Sequence, residues 1–282
     1  GSFLLMSEEL CMKKIIKLEW NRMVRAKGFW IALGISLIIC IAQFMEYGLF
    51  LDDGYPEVME RGEAIVMEAP LSIYLGWIGG ELNSKTRYLF LLLLPILGSL
   101  PHSGSLLEDE ESGFKNAVCT RVCKSDYIKG KYFITFLGAF LVIFPPVLLN
   151  IMLQSTVTSF ITPTPESAMT EVQLPLVSFG QRLFFERPLI YLIITSFQWG
   201  ILGGCLAVIG MISYSIMPKK YFVVLFPFFI WKAADLIFQM IGFHFLMPSE
   251  YFSPPLGYFH PGISLGIFFV LFTGSGISLW IR

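Results

Sequence analysis

The chain has 282 residues, of which 55% are hydrophobic and only 15% charged, and its formal net charge is −1. Soluble domains carry about 25% charged residues, so the composition excludes an ordinary water-soluble domain and predicts an integral membrane protein. Stretches long enough, or nearly long enough, to cross about 30 Å of hydrocarbon predict six transmembrane helices. They cover residues 29–51, 88–107, 132–154, 189–217, 222–247 and 263–281. The predicted fold class is therefore all-α and polytopic, with residues 29–282 forming one six-span domain.

The first 28 residues precede this domain. Met12-Lys13-Lys14 is typical of a native start, so residues 1–11 are left out of the fold prediction. From Lys13 to Lys27, apolar residues recur with a helical period opposite basic ones; the apolar side holds Ile15, Ile16, Trp20, Met23, Val24 and Ala26. This pattern predicts an amphipathic elbow helix that lies flat in the inner membrane interface. Because Leu18 breaks the pattern, a solvated helix packed on a partner protein is the alternative.

The external segment of residues 52–87 begins acidic and continues into an apolar run, Pro70–Leu82. This run is too short to cross the hydrocarbon, so it is predicted to lie on the outer interface or to dip back into the membrane. Within the spans, five prolines predict kinked helices that pack against protein: Pro95, Pro101, Pro145, Pro146 and Pro227. Gly200-xxx-Gly204 predicts close helix packing within the chain rather than a dedicated dimer seam.

Lys and Arg residues outside the spans are unevenly distributed. If the N-terminus is cytosolic, most of them lie in cytosolic segments, and only Arg61, Lys85, Arg87, Arg182 and Arg187 lie outside. The positive-inside rule therefore predicts a multi-pass protein of the plasma membrane with both termini in the cytosol. Cys119 and Cys123 fall on this reducing side, and no third Cys or His accompanies them, so no metal site is predicted.

Polar side chains within the spans concentrate toward the outer half. They are Gln43, Glu46, Asn150, Gln154, Gln198, Lys232, Asp235 and Gln239. Such groups are costly in a bilayer and usually face the bundle interior, so they are candidates for a translocation path. Lys232 and Asp235 are three residues apart on one helix face and can neutralise one another. Helices that project beyond the membrane, or a packing role for this pair, are the alternatives.

Signatures of enzymes are missing from the sequence. There is no His-Glu-x-x-His and no Gly-x-Ser-x-Gly, and His102, His244 and His260 lie in separate parts of the chain. Each lone histidine is predicted to be structural. Gly130-Lys131 lacks the spacing, and the following Ser or Thr, of a phosphate-binding loop. The chain is therefore not predicted to be an enzyme or to bind a cofactor itself.

Residues 108–131, "EDEESGFKNAVCTRVCKSDYIKGK", separate two apolar stretches with mixed charge. Glu110-Glu111-Ser112-Gly113-Phe114-Lys115, then Thr120-Arg121, then Tyr127-x-x-Gly130-Lys131 resemble the cytosolic loop of type 2 ABC exporter permeases, particularly the peptide and antibiotic exporter permeases of Gram-positive bacteria. The basic helix before the first span, six spans and a cytosolic N-terminus are also features of that family. Phe114, where many relatives have Thr, and the long first external segment depart from its pattern and leave the substrate branch open.

The resemblance implies that this loop docks on a separate ATPase. A short helix from about Gly113 to Arg121 would present Phe114 and Val118 to a groove, with Lys115 and Arg121 around them. Glu110, Glu111, Gly113, Tyr127 and Lys131 complete the predicted docking set. A solvated connector is the alternative.

The resemblance further implies a permease subunit of an ATP-driven exporter, paired with a second, identical or different, permease chain and with ABC ATPase subunits. ATP and Mg would bind to those ATPases and not to this chain. The lipid bilayer is the other expected partner, and no nucleic acid is expected. An amphipathic peptide or antibiotic is the predicted substrate. An ATP-independent secondary transporter or channel is the alternative, whereas a membrane-embedded enzyme has no catalytic constellation in its favour.

Overall fold

The computed structural model of the chain describes residues 2–49, 72–80, 84–158, 160, 162, 181–243 and 247–251. In these ranges the regular secondary structure is helical, apart from a single bridge residue at Ser72. The all-α prediction is confirmed. The sixth predicted span, residues 263–281, and most of the external segment 52–87 lie outside the described residues.

The helices, in chain order, are α1 (Ser2–Arg25), α2 (Lys27–Phe44), α3 (Ile73–Gly76), α4 (Lys85–Ser99), α5 (Ser105–Glu111), α6 (Phe114–Cys119), α7 (Lys124–Gln154), α8 (Gln181–Glu186), α9 (Pro188–Ser213), α10 (Lys220–Ile241) and α11 (Pro248–Tyr251). A π-helical turn, Met45–Leu49, extends α2. Within the described ranges, four helices are long and apolar enough to cross a membrane: α2 with its extension to Tyr47, α7, α9 and α10. They correspond to the first, third, fourth and fifth predicted spans, and they are compatible with a membrane protein.

The second predicted span, residues 88–107, is not one continuous helix. α4 ends at Ser99, and its 15 residues reach about 22 Å, short of the roughly 30 Å of hydrocarbon. Pro101 has no backbone N–H to continue the helix. The chain turns at residues 100–104 before α5 begins at Ser105, so the predicted span is a short helix followed by a turn and a second helix.

The long helices α7 and α9 pack against each other at the centre of the bundle. Gly200 and Gly204 face the rings of Phe140 and Phe136, where added Cβ atoms would come within 2.7 and 2.5 Å of the ring carbons. The glycine pair thus serves packing within the chain, as predicted. α4 packs against α7, α9 and α10, and α2 packs against α4 and α7.

α1 runs beside α7 over more than two helical turns. Ile15 lies against Gly130 and Met23 lies against Gly138, since added Cβ atoms there would come within 2.6 and 2.4 Å of the facing side chains. Both pairs are separated by the same stretch of helix, about 12 Å, so the two helices run in the same direction. Trp20, which the sequence assigned to the apolar side, is 36% exposed. The path of α1 along a predicted span differs from the flat interfacial position expected from its pattern.

Residues 72–80, within the apolar run Pro70–Leu82, are enclosed by the bundle. Ile73, Trp77 and Ile78 are at most 1% exposed. The ring of Trp77 lies 5.8 Å from that of Trp199 on α9, and α3 packs against both α7 and α9. The burial shows packing inside the bundle, and the position of this run relative to the membrane stays a prediction.

Candidate functional site

The segment between α5 and α7 contains the short helix that the sequence predicted. Gly113 has a φ of +72°, in the left-handed region that glycine adopts readily, and α6 begins directly after it. α6 ends at Cys119, slightly before the predicted end at Arg121. α7 follows from Lys124, so only a few residues separate the two helices. We call α1, α5, α6 and the first two turns of α7 the base of the molecule.

The apolar side chains of α6 contact the other helices of the base. Phe114 is half-buried, and the guanidinium carbon of Arg22 lies 5.0 Å from its ring centroid. Val118 packs against the apolar cluster that contains Leu106 and Tyr127. The two side chains that the sequence assigned to an ATPase groove therefore face inward in this structure.

The outer face of α6 is polar. Asn116, Ala117, Thr120 and Arg121 are exposed, as are Glu110 and Glu111 at the end of α5. Lys115 forms an ion pair with Glu110, with Nζ 3.3 Å from Oε1. Of the predicted docking residues, the exposed charged ones that a partner protein can reach directly are thus the two glutamates and Arg121.

A buried network of charged side chains lies beneath α6, centred on Asp109 of α5. Arg22 of α1 donates two hydrogen bonds to this carboxylate, from Nη1 to Oδ2 at 3.1 Å and from Nη2 to Oδ1 at 2.5 Å. Lys131 of α7 places Nζ 2.8 Å from Oδ2. The Tyr127 hydroxyl donates a hydrogen bond to the same oxygen. One carboxylate thereby joins three helices.

Glu19 is the second carboxylate of the network. Its Oε1 lies 3.3 Å from Nη1 of Arg22, and its Oε2 lies 3.3 Å from Nζ of Lys131. Nε2 of His102, in the turn after α4, approaches Oε2 to 3.2 Å without the alignment of a good hydrogen bond. The side chains of Glu19, Asp109 and Lys131 are at most 1% exposed.

The surroundings of the two carboxylates keep them ionised. Burial by itself would raise the pKa of Asp109, but hydrogen bonds from Arg22 and the charge of Lys131 outweigh it, and the pKa is lowered. Burial likewise opposes ionisation of Glu19, and the contact with His102 and the charge of Lys131 lower its pKa despite this. Burial lowers the pKa of His102 from 6.5, so the imidazole is neutral at pH 7. Two carboxylates therefore face two cations.

This network ties the position of α6 to the membrane helices. Removing one partner of a buried ion pair costs about 3–5 kcal/mol, because the other charge stays buried without compensation. Arg22 contacts Phe114 on α6 as well as Asp109 on α5. α6 is therefore held to α1, which leads into α2, and to α7.

The sequence placed two members of this network on the docking surface and did not assign the others to any site. Tyr127 and Lys131 are buried, so in this conformation they position the loop and do not contact a partner. Glu19 and Asp109 were missed, and His102 was predicted only to be structural. Arg22 was one of the basic residues opposite the apolar side of the predicted elbow helix. A signal for Glu19 existed, because it falls between Ile15 and Met23 on one helix face, where a lone carboxylate needs a buried partner.

Three candidates for the translocation path meet at the other end of α7. Gln43 Nε2 donates to the carbonyl of Gly76 at 2.8 Å, and Asn150 Oδ1 accepts the backbone N–H of Ile78 at 2.9 Å. Asn150 Nδ2 and Gln154 Nε2 both donate to Oε1 of Gln43, at 2.7 and 3.3 Å. These amides bind the backbone of the enclosed segment 72–80.

Glu46 and Gln198 are not part of this amide cluster in the described contacts. Glu46 is partly exposed and accepts a hydrogen bond from the Thr86 hydroxyl at 2.7 Å. Gln198 is buried on α9. Neither side chain has a hydrogen bond to Gln43 or Asn150 among the described contacts.

The predicted pairing of Lys232 with Asp235 is present on α10, with Nζ 3.0 Å from Oδ2. The other carboxylate oxygen accepts the backbone N–H of Ser249 at 3.0 Å, which holds the start of α11. Gln239 is exposed. Asp235 therefore has a structural task, which agrees with the packing alternative for this pair.

Comparisons with known proteins give no information about the function of the site. No family model matches the chain, and no curated protein or solved structure is significantly similar to it. Among the described residues, no group of three His, Cys, Asp or Glu side chains is arranged to hold a metal ion. The functional argument therefore depends on the geometry of the base and of the enclosed segment.

Proposed function

We propose that this chain is the permease subunit of an ATP-driven exporter and that residues 108–131 dock on a separate ATPase. The observation that carries the proposal is that α6 is held in place by contacts with the neighbouring helices. A connection between two helices needs only a few residues, whereas here it folds into a helix with an exposed polar face. Arg22 contacts Phe114 of this helix and is itself held by Asp109 of α5. A solvated connector would need no such anchoring.

The contacts of α6 support its use as a lever. A displacement of α6 acts on α1 through the contact between Phe114 and Arg22, and on α7 through the packing of Val118 against the apolar cluster that contains Tyr127. α7 is long enough to cross a membrane and α1 leads into α2, which is also long enough. Movement at the docking surface would thus reach two membrane helices as rigid elements.

In this proposal the chain pairs with a second permease chain in the plasma membrane, with both termini in the cytosol. ATP and Mg bind to the ATPase subunits, and this chain carries the substrate, an amphipathic peptide or antibiotic. The exposed face of α1, with Lys13, Lys14, Lys17 and Trp20, then lies toward the anionic headgroups of the inner leaflet.

Affinity purification from the membranes of the native host in mild detergent tests the proposal. We expect wild-type protein to co-purify with an ATPase of the ABC class and to show vanadate-sensitive ATP hydrolysis. Arg121→Glu, at an exposed residue just after the end of α6, should abolish both. Lys219→Glu is the matched control, because it makes the same charge change at an exposed position outside residues 108–131, directly before α10.

Two results would contradict the proposal. If wild-type protein carries no such ATPase, and transport in vesicles follows an ion gradient, the chain is a secondary transporter or channel. If Arg121→Glu retains the ATPase as well as Lys219→Glu does, the docking surface is elsewhere.

A further inference from the structure

The enclosed segment 72–80 is bound through its backbone by side chains of the surrounding helices. Gln43 and Asn150 contact the carbonyl of Gly76 and the N–H of Ile78, on either side of Trp77. Asn150 is itself oriented by a hydrogen bond from its Nδ2 to the carbonyl of Cys40, at 2.8 Å. Because every peptide has these backbone groups, such contacts bind a peptide backbone with little dependence on its side chains.

The side-chain preferences of the same site come from aromatic neighbours. The ring of Trp77 lies 5.8 Å from that of Trp199, which stacks on Phe90 at 5.7 Å. Before Trp77, a Cβ on Gly76 would come within 2.2 Å of Tyr47 Cε1. The site therefore accepts a glycine followed by a large aromatic residue.

One acceptor in the cluster is left over. Oε1 of Gln154 is buried and has no hydrogen-bond partner among the described residues, although Nε2 of the same amide contacts Gln43. A buried acceptor without a partner costs about 1–3 kcal/mol. The cluster thus has capacity for one more N–H donor than the segment 72–80 supplies.

We propose that Gln43, Asn150 and Trp199 form a binding site for apolar peptides, which the chain's own segment 72–80 occupies. The inference rests on the proposed exporter function, and it identifies the substrate class as a short peptide with a small residue before an aromatic one. The segment acts as an internal substitute for that peptide and closes the site while no substrate is present.

Competition from the attached segment shapes the test. A segment tethered beside its site has an effective concentration of the order of millimolar, so a free peptide is expected to bind only after the internal contacts are weakened. Trp77→Ala removes the aromatic anchor of the segment and leaves Gln43, Asn150 and Trp199 in place. Hydrogen exchange in residues 72–80 reports whether the segment has been released.

The probe is a fluorescein-labelled peptide with the sequence of residues 72–80, and its binding to the detergent-solubilised Trp77→Ala protein is measured by fluorescence polarisation. A control peptide carries an N-methyl group on the residue equivalent to Ile78, which removes the N–H that Asn150 accepts. We expect saturable binding of the first peptide and binding about tenfold weaker for the second, because an unpaired buried acceptor remains. Adding Asn150→Leu to the Trp77→Ala protein should cause a similar loss, whereas adding Asn21→Leu, an exposed amide on α1, should not.

Equal binding of the two peptides would overturn the proposal. So would the absence of saturable binding to a variant in which exchange of residues 72–80 has risen. If Trp77→Ala leaves hydrogen exchange in residues 72–80 unchanged, the second variant is Gly76→Val, whose side chain forces the segment away from Tyr47. Unchanged exchange in this variant as well would show that the segment is a permanent part of the core. No ATPase takes part in this assay, so its failure leaves the exporter proposal to be decided by ATPase capture.

Discussion

Arg22 and Asp109 form a two-point ion pair between α1 and α5, with nitrogen-to-oxygen distances of 3.1 and 2.5 Å. The pair lies directly beneath α6, because the same guanidinium group covers the ring of Phe114. Bidentate pairs of this kind fix direction as well as distance. The orientation of α6 relative to the N-terminal helix is therefore specified by the contacts of Arg22.

Replacing Asp109 by Ala should destabilise the protein strongly. The change leaves Lys131 buried with only Glu19 as a counter-charge, and it removes the acceptor for Tyr127. We expect a loss of about 3 kcal/mol in the free energy of unfolding, measured as a lower midpoint of thermal unfolding in detergent. Glu111→Ala, an exposed acid on the same helix, should change the stability by less than about 0.5 kcal/mol.

The Arg22–Asp109 pair can be separated from the rest of the network by a double-mutant cycle. Arg22→Ala and Asp109→Ala together should be less destabilising than the sum of the single changes, by about 1–3 kcal/mol. Simple additivity of the two losses would show that the contact contributes little to the folded state.

Acidification should destabilise the protein through His102 first. Its pKa is lowered by burial from 6.5, so the unfolded chain binds a proton at this residue before the folded protein does, and stability falls as the pH drops below 6.5. His102 faces Glu19, Lys131 and Arg22, and the latter two cations also oppose its protonation. We expect the midpoint temperature of unfolding of the wild-type protein to be lower at pH 5.5 than at pH 7.5. The decrease should be smaller in His102→Gln.

The carboxylates add a second acid-sensitive range. The pKa values of Glu19 and Asp109 are lowered from 4.5 and 3.8, so their contribution is complete above those values and is lost as the pH falls through the lower folded-state values. For the His102 prediction, Glu111→Gln is the control, since Glu111 is exposed at the end of α5. An equal flattening of the pH profile by this variant would contradict the assignment to His102.

Two glycines on α2 offer a matched pair for testing its packing. A Cβ on Gly28 would lie 2.5 Å from the carbonyl oxygen of Leu100, whereas a Cβ on Gly34 would have no neighbour within 4 Å. Gly28→Ala should therefore cost about 1–3 kcal/mol, because a backbone carbonyl cannot easily move away. Gly34→Ala should be neutral or stabilising by up to about 1 kcal/mol. Thermal unfolding measures the stability of both variants. Equal effects would show that Gly28 of α2 does not lie against Leu100, just after α4.

The two partners of the α10 ion pair should differ in importance. Lys232 has a side chain that is 37% exposed, so Lys232→Ala should cost less than about 1 kcal/mol. Asp235→Ala also removes the acceptor for the Ser249 N–H and should raise hydrogen exchange in residues 247–251. If both variants also export substrate normally, the pair has no part in transport. Equal hydrogen exchange of residues 247–251 in the two variants would contradict the structural role of Asp235.

Local sequence features predicted much of the fold but little of the network. The start of α6 was predicted at about Gly113, and in the structure Gly113 precedes α6 in the left-handed conformation that its missing Cβ permits. The apolar length of the second span concealed the break at Pro101, because hydropathy does not record where a backbone N–H is lost. Glu19, His102 and Asp109 come from separate segments, and no single stretch of sequence shows that they meet.

The sequence by itself determined that this protein is helical and suited to a membrane, because helical period and apolar length are local properties of the chain. It also determined where the charged segment 108–131 begins and ends. Only the tertiary structure decided which charges are buried together, that Phe114 faces inward, and that residues 72–80 are held by Gln43 and Asn150. Those outcomes depend on how distant helices pack, since a side chain's partner is set by the neighbouring helix rather than by its own sequence.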